Sequence, residues 1–317
     1  MGKKLLVYLK HEVDSFSIKP RHLKRISSAF PGIDILEVSG KEEFNASLPE
    51  ADWILTWQFR VKMYGKLPKL EAVFTPAAGK DWLPPDPSGR VINFYGRFHG
   101  RIMRESLLAM MLFFNRRLDI CQENRNNKVW DRSYLDGSSL LCGQRALIVG
   151  YGAIGRQMAE LLRAFGMRVV AVKRNIAGFE RDPHAERVIT FADMDEELSR
   201  ADHVVLMLPG SAETENLFSK RHFFMMKPGA FLYNLGRGNC YCEEHLVDAL
   251  QNGPLAGAGL DVFRQEPLPL ASSLWNLPNV LIMPHASAIC SEYLNLYSEE
   301  FISVARDLWR ETQALKL

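Results

Sequence analysis

The chain has 317 residues, 47% of them apolar, which is enough for two domains with separate cores. Lys and Arg number 39 against 37 Asp and Glu, so the net charge is only +2, and nothing in the balance points to nucleic acid or another polyanion as a partner. No apolar run is long enough to span a bilayer, and the start MGKKLLVYLK has too short an apolar part for a secretory signal. The five cysteines, Cys121, Cys142, Cys240, Cys242 and Cys290, are odd in number and scattered, so reduced thiols and a cytoplasmic location are expected.

Residues 1 to about 100 read as a smaller α/β domain. Leu5 to Leu9, Trp53 to Trp57, Ala72 to Phe74 and Val91 to Phe94 are short strand candidates, and Arg21 to Phe30 is a helix candidate between them. The Pro- and Gly-rich stretch from Thr75 to Gly89 is a loop, in which small residues at Ala77, Ala78 and Gly79 leave backbone N–H groups accessible to an anion or form an ordinary strand exit. From Gly100 to Arg117, Ile102, Leu107, Leu108, Met111, Leu112 and Phe114 make an apolar face at helical spacing, and this helix enters a second domain. Cys121 to Ser139 is polar and reads as a surface excursion.

The run Arg145 to Arg174, RALIVGYGAIGRQMAELLRAFGMRVVAVKR, organises that second domain. A strand at Ala146 to Val149 is followed by Gly150, Gly152 and Gly155. Then comes a helix with Met158, Leu161, Leu162 and Phe165 at its spacing, a stop at Gly166 and a second strand at Val169 to Val172. Strand, G-x-G-x-x-G, helix, strand is the dinucleotide-binding pattern: the glycines allow a tight turn, close approach of a pyrophosphate and close helix–strand packing, and the helix start offers N–H groups to phosphate. The NAD form closes its second strand with an acidic residue for the ribose 2′-hydroxyl. Here Lys173 and Arg174 stand there, which favours a 2′-phosphate and so NADP(H), with NAD(H) as the second possibility.

The alternation continues. Helices are expected at Phe191 to Ser199, Leu217 to Met226 and Glu243 to Gln251, and strands at His203 to Leu208, Ala230 to Asn234, Ala258 to Val262 and Val280 to Met283. Repeated βα units with near-continuous apolar strands make a doubly wound parallel sheet, whose ligands lie beyond the carboxyl ends of the strands. The residues just after each strand are therefore the site candidates: Pro209 and Gly210, Gly236 and Arg237, Asp261 and Glu266, and His285. An arginine can fork onto a carboxylate and polarise a carbonyl. A histidine can transfer one proton near neutrality, and a glutamate beside it would orient the ring and favour its protonated form.

With GYGAIG, MLPGSAETENLFSKRHFFMMKPGAFLYNLGRG, LAGAGLDVFRQEPLP and SLWNLPNVLIMPH in that order, the chain resembles the D-isomer-specific 2-hydroxyacid dehydrogenases, from roughly Ala51 to Ala288. The short loop AAGKD and the sequence MRE at Met103 to Glu105 are similar to the glyoxylate and hydroxypyruvate reductase branch. The resemblance implies a Rossmann-type sheet, residues 101–286, inserted into a smaller flavodoxin-like α/β substrate domain, residues 1–100 plus 287–317, with a hinge at the two crossings. It implies a homodimer formed through the nucleotide domain, partly by the helix after the first crossing. By position, Arg237 matches the substrate-binding arginine, Glu266 the partner of the histidine, and His285 the acid/base. Ala78 and Gly79 match the backbone that binds the substrate carboxylate, and Asp261 the contact to the nicotinamide carboxamide. The cofactor set is then Gly150, Gly152, Ala153, Ile154, Gly155, Lys173, Arg174, Leu208, Pro209, Leu235, Gly236 and Asp261.

The chain departs from the pattern at several positions. Arg101 and Arg104, with His99 nearby, stand where small or apolar residues are usual, either facing solvent or adding charge near the substrate. Ala286, Ser287 and Ala288 replace a glycine-containing run, and Cys242 stands where an acidic cap is common. Cys240, Cys242 and His245 lack the number and spacing of a structural zinc site, so no metal is expected. The expected activity is NAD(P)H-dependent reduction of a small 2-oxo acid to the D-2-hydroxy acid, with His285 as proton donor. The alternative is a cofactor-sensing, non-catalytic protein of the same fold, like the co-repressor relatives of this family.

Overall fold

The computed structural model describes residues 2–80 and 82–314, the last four of these by backbone alone. Asp81 of the AAGKD loop and residues 315–317 of the expected smaller domain lie outside the described residues. The chain divides into two compact units, Gly100–Ala288 and Met1–His99 with Ile289–Leu317.

The smaller unit carries strands β1 (Lys4–Tyr8), β2 (Asp34–Glu37), β3 (Trp53–Thr56), β4 (Ala72–Thr75) and β5 (Ile92–Tyr95), all parallel, in the order β2-β1-β3-β4-β5. This is the flavodoxin-like order. β1, β3 and β4 are buried on both faces, whereas β2 is an exposed edge with no apolar run in its sequence, and it is not among the expected strands. Helix Tyr293–Ala314 returns to this unit, where Phe301 packs on Phe30 and Phe74.

The larger unit carries β6 (Arg145–Val149), β7 (Arg168–Val172), β8 (Arg187–Ile189), β9 (His203–Leu206), β10 (Ala230–Asn234), β11 (Leu255–Leu260) and β12 (Val280–Ile282). All are parallel, in the order β12-β11-β10-β9-β6-β7-β8, a doubly wound sheet whose strand order reverses between β6 and β9. Successive residues of a strand point to opposite faces, so one sheet fills two cores. Leu147, Val149, Val204, Leu206 and Leu232 meet Leu198, Phe223 and Leu246 on one face. Ala146, Ile148, Val205 and Tyr233 meet Leu107, Met110, Met158 and Leu162 on the other.

The observed elements differ from the expected ones at several points. The polar excursion carries a helix, Leu118–Asn127, that buries no residue and so leaves no apolar stripe to read; Arg117 and Lys128 bracket it in left-handed conformations. The helix expected from Leu217 starts at Lys220, because Ser219 and His222 form a capping box there. The strand expected at Ala258 to Val262 ends at Leu260, and β8 is a three-residue edge outside the expected set. The unit boundary also differs from 100/101 and 286/287. Gly100 opens helix Gly100–Asn115, and Ser287 is bonded to Asp261 and to Ser106, both in the larger unit.

At the amino edge of the larger sheet, His203 is fully buried between Gln144 Oε1 (2.8 Å from Nε2) and the Tyr233 hydroxyl (3.1 Å from Nδ1). Burial lowers its pKa from 6.5 to about 4, against the raising effect of Asp202. The neutral ring is therefore the folded form, and the unfolded chain takes up the proton first. The stability this contributes is present above pH 6.5 and is lost as the pH falls toward 4. The unfolding free energy should drop by about 2 kcal/mol from this group between pH 8 and pH 5. His203→Gln should flatten that dependence in urea titrations at the two pH values; an equally steep loss in the variant would contradict it.

Candidate active site

The carboxyl ends of β6 and β9 converge at the reversal of strand order. Gly150 has φ +107°, and a Cβ there would stand 2.5 Å from the Met207 carbonyl oxygen, so the turn admits glycine alone without displacement. The amides of Gly150 and Tyr151 both donate to Val172 O at 3.1 Å, hooking the turn onto β7. Gly152 is exposed, has no atom within 4 Å of where a Cβ would stand, and caps helix Ala153–Ala164 without any side-chain bond to its first turn. Ala153 is exposed and Ile154 half-buried, while Gly155 is buried against Gly150 O. An open glycine backbone at an uncapped helix start fits a dinucleotide pyrophosphate.

The loop after β7 is fastened back onto this turn. Lys173 Nζ donates to Tyr151 O at 3.0 Å and lies 4.5 Å from the centre of the Phe179 ring. Asp182 accepts from the Tyr151 hydroxyl (3.0 Å), Arg156 Nε (2.6 Å) and the His184 amide (2.9 Å). Burial works against the Asp182 carboxylate, but these donors hold its pKa below the usual value, and burial pushes the Tyr151 phenol well up. Of the two cations expected to meet a 2′-phosphate, Lys173 is thus bonded within the protein and half-buried, and Arg174 is exposed. Leu208 and Leu235 are buried beside the exposed Pro209.

Arg237 follows β10 on a turn built by a buried asparagine. Asn234 Oδ1 accepts from the Gly236 amide at 3.0 Å, and its Nδ2 donates to Arg237 O at 3.1 Å, where Cys240 Sγ also donates. Arg237 Nη1 donates to Gly236 O at 2.9 Å. Burial pushes the Cys240 thiol up to about 12, and Cys242 Sγ donates to Glu244, so the two thiols serve the backbone and a neighbouring carboxylate. Among the described residues no group of three or more His, Cys, Asp or Glu is placed to hold a metal.

After β11 and β12 the structure brings His285 and Glu266 together. His285 Nδ1 is 2.7 Å from Glu266 Oε2, and Glu266 Oε1 accepts from the Phe263 amide at 3.0 Å. With Nδ1–H directed at the carboxylate, Nε2 is the position left for proton transfer. His285 is half exposed and has φ +53°, an unusual conformation for a non-glycine residue. Asp261 stands directly after β11. It is buried, and its carboxylate accepts from the amides of Ala286 and Ser287 and from the Ser287 hydroxyl.

Ala78 and Gly79 lie in the smaller unit, directly after β4, with Ala78 exposed. His99 Nε2 is 2.9 Å from the Tyr293 hydroxyl in that unit, and Arg104 pairs with Glu160 in the larger one; Arg101 is exposed. Sequence reasoning missed Asn234, Asp182 and Arg264. Arg264 joins three loops: Nη1 donates to Glu215, and Nη2 to Asn216 Oδ1 and Tyr241 O, while its amide donates to Glu243. Asn239 and Arg264 together hold the Glu215 carboxyl below its ordinary pKa. A single cation in DVFRQEP carries no local signal of partners so far away along the chain.

A doubly wound sheet with a glycine turn at its reversal, and with an arginine and a histidine–glutamate pair beyond neighbouring strand ends, has the parts of a dinucleotide-dependent oxidoreductase. The profile "D-isomer specific 2-hydroxyacid dehydrogenase, NAD binding domain" matches residues 108–287. The chain is 34% identical over 235 residues to a glyoxylate/hydroxypyruvate reductase B of Klebsiella pneumoniae, covering 72% of this chain and 71% of the relative. It is 30% identical over 277 residues to a probable 2-ketogluconate reductase of Dictyostelium discoideum, covering 81% and 79%. Its fold matches the crystal structure of an NADPH-dependent glyoxylate/hydroxypyruvate reductase of Sinorhizobium meliloti in complex with NADP and sulfate, at a TM-score of 0.73 and 25% identity over 96% of this chain and 95% of that one. The chain belongs to the D-isomer specific 2-hydroxyacid dehydrogenase family and is an oxidoreductase.

The turn that carries Arg237 has no room for a larger residue. A Cβ on Gly238 would fall 2.0 Å from the Phe263 carbonyl carbon, which is backbone and cannot step aside. Gly238→Ala should cost about 1–3 kcal/mol of stability, the usual size of an overpacking strain. Thermal unfolding measures this, and an unchanged Tm would contradict the close approach.

Proposed function

We infer that the protein reduces a small 2-oxo acid, of the glyoxylate or hydroxypyruvate kind, to the D-2-hydroxy acid with NADPH. The observation that carries this reading is the 2.7 Å contact of His285 Nδ1 with Glu266, beyond the carboxyl ends of the sheet that also bears the glycine turn. The relatives reported above are named as reductases, which does not favour the non-catalytic alternative.

Gly150, Gly152, Ala153, Ile154 and Gly155 would hold the pyrophosphate, with Leu208, Pro209, Leu235 and Gly236 along the neighbouring strand ends. The bound nicotinamide supplies the hydride. Arg237 would fork onto the substrate carboxylate and draw charge from the carbonyl oxygen. Ala78 and Gly79 are assigned, on the resemblance, as carboxylate-binding backbone in the smaller unit. Glu266 would keep the His285 ring in one orientation, with Nδ1 at the carboxylate, leaving Nε2 to release a proton to the forming alkoxide. Homodimer formation is part of the same reading; Trp130, 93% exposed on the polar excursion, is a fitting contact for a second copy.

The first test is a panel of 2-oxo acids assayed with NADPH and with NADH. Turnover of glyoxylate or hydroxypyruvate with NADPH is expected, and no turnover of any oxo acid would overturn the reading. His285→Asn should lower kcat by about 10²–10⁴-fold while NADPH still binds.

Cofactor choice rests on Arg174 more than on Lys173, because Lys173 already serves Tyr151 O and the Phe179 ring. Arg174→Ala should weaken NADPH by about 1.5–3 kcal/mol, the size of a hydrogen bond to a charged group, and leave NADH nearly unaffected. Michaelis constants for both cofactors decide this; a wild-type enzyme more efficient with NADH would refute the preference.

A further inference from the structure

Asp261 is 1% exposed, and its carboxylate is directed at the backbone that leaves His285. Oδ1 accepts from the Ala286 amide at 2.7 Å and from the Ser287 amide at 3.1 Å. Oδ2 accepts from the Ser287 amide at 3.2 Å and from the Ser287 hydroxyl. The Asp261 carbonyl accepts from the His285 amide at 2.8 Å. One residue therefore binds all three consecutive amides of His285, Ala286 and Ser287. Ser106 Oγ donates to Ser287 O at 2.8 Å, which fixes the far end of the same turn.

The segment so held is the one with an unfavourable backbone. A histidine at φ +53° persists only where its surroundings over-determine it. Two residues on, the chain turns into a buried serine, and the amides on this path would otherwise need water in a place that excludes it. A buried carboxylate is a strong acceptor for such a cluster of N–H groups, since charge-assisted bonds are shorter and stronger than neutral ones.

We propose that Asp261 is a positioning residue for the proton donor: its carboxylate clamps the turn at His285–Ser287 and so sets where His285 Nε2 stands. This rests on the reading of His285 as the donor given above. It stands beside the part the family resemblance implies, a contact from Asp261 to the cofactor carboxamide. The two roles separate experimentally, because a clamp acts on the turn before any cofactor binds.

The test uses Asp261→Ala, Asp261→Asn and Ser287→Ala in the full-length protein. Amide hydrogen exchange at residues 286 and 287 is followed without cofactor, NADPH binding by fluorescence titration, and turnover by kcat. In Asp261→Ala, exchange at both amides should accelerate and kcat should fall by about 10²-fold, the scale of a roughly 1 Å misplacement of a reacting group. Turnover is compared at saturating NADPH, so a weakened hold on the cofactor does not enter the loss in kcat. Asp261→Asn keeps one oxygen for the two amides and offers its N–H to the Ser287 hydroxyl, so it should retain most of kcat and of the protection. In a His285→Asn background, Asp261→Ala should have no further effect on kcat, since the group being positioned is already absent. Ser287→Ala, which removes one bond from the clamp, decides the matter if Asp261→Ala does not fold. It should speed exchange and lower kcat with NADPH affinity unchanged.

Unchanged exchange together with a raised NADPH Kd would overturn the clamp in favour of cofactor contact. So would a loss in kcat that is fully additive with His285→Asn. If His285→Asn alone keeps near-normal turnover, the donor assignment fails, and the exchange experiment still reports whether Asp261 holds the turn.

Discussion

A parallel strand covered on both faces has no place for a polar side chain along its length. In the larger unit β6, β7, β9 and β10 are each almost wholly buried, and helices close both sides. Polar chemistry is pushed to the ends of such strands, and the side that collects it is the carboxyl edge, where the glycine turn, Arg237, Glu266 and His285 all emerge. The loops there bury apolar residues of their own, Leu208, Leu235, Val262 and Phe263 among them. They are held as well by polar groups that bond backbone: Asn234 under the Arg237 turn, Asp182 at the His184 amide, and Asp261 under the residues after His285. Each saves the groups it meets from being buried without a partner.

This division decides how far the fold and the site can be read from residues alone. The buried strands announce themselves as apolar runs, and the glycine turn is visible because its context, strand before and helix after, is visible too. Arg237, Glu266 and His285 can be placed at strand ends by counting. That Glu266 and His285 meet is a long-range fact across 19 positions, which resemblance implies and the 2.7 Å distance shows. Asp182 and Arg264 act on atoms of other segments, and Asn234 acts on the backbone of its own turn. A polar residue in a polar loop looks the same whether it faces water or holds three neighbouring loops, so spacing carries no trace of them.

The same limit accounts for the elements that sequence pattern does not mark. β2 and β8 are short edges with half-exposed residues, so neither alternation nor an apolar run signals them. The helix Leu118–Asn127 buries nothing of its own within the chain and is set by its termini, the left-handed Arg117 and Lys128. Lys173 is a further case. Its position and charge suit a 2′-phosphate, and only the structure shows that the ammonium already has a carbonyl and an aromatic ring.

Arg264 has a consequence for how this enzyme can change. Its guanidinium ties the segment at Glu215–Asn216 to the one at Asn239–Tyr241, and its own backbone belongs to the segment leading to Glu266. Loops joined through one shared cation do not vary independently, because a replacement in any of them leaves the other two short of a bond they were shaped around. Grafting a single loop from a relative to alter substrate choice would therefore arrive in a frame built for a different neighbour. The three segments form one heritable module, and it is as a set that they would be exchanged.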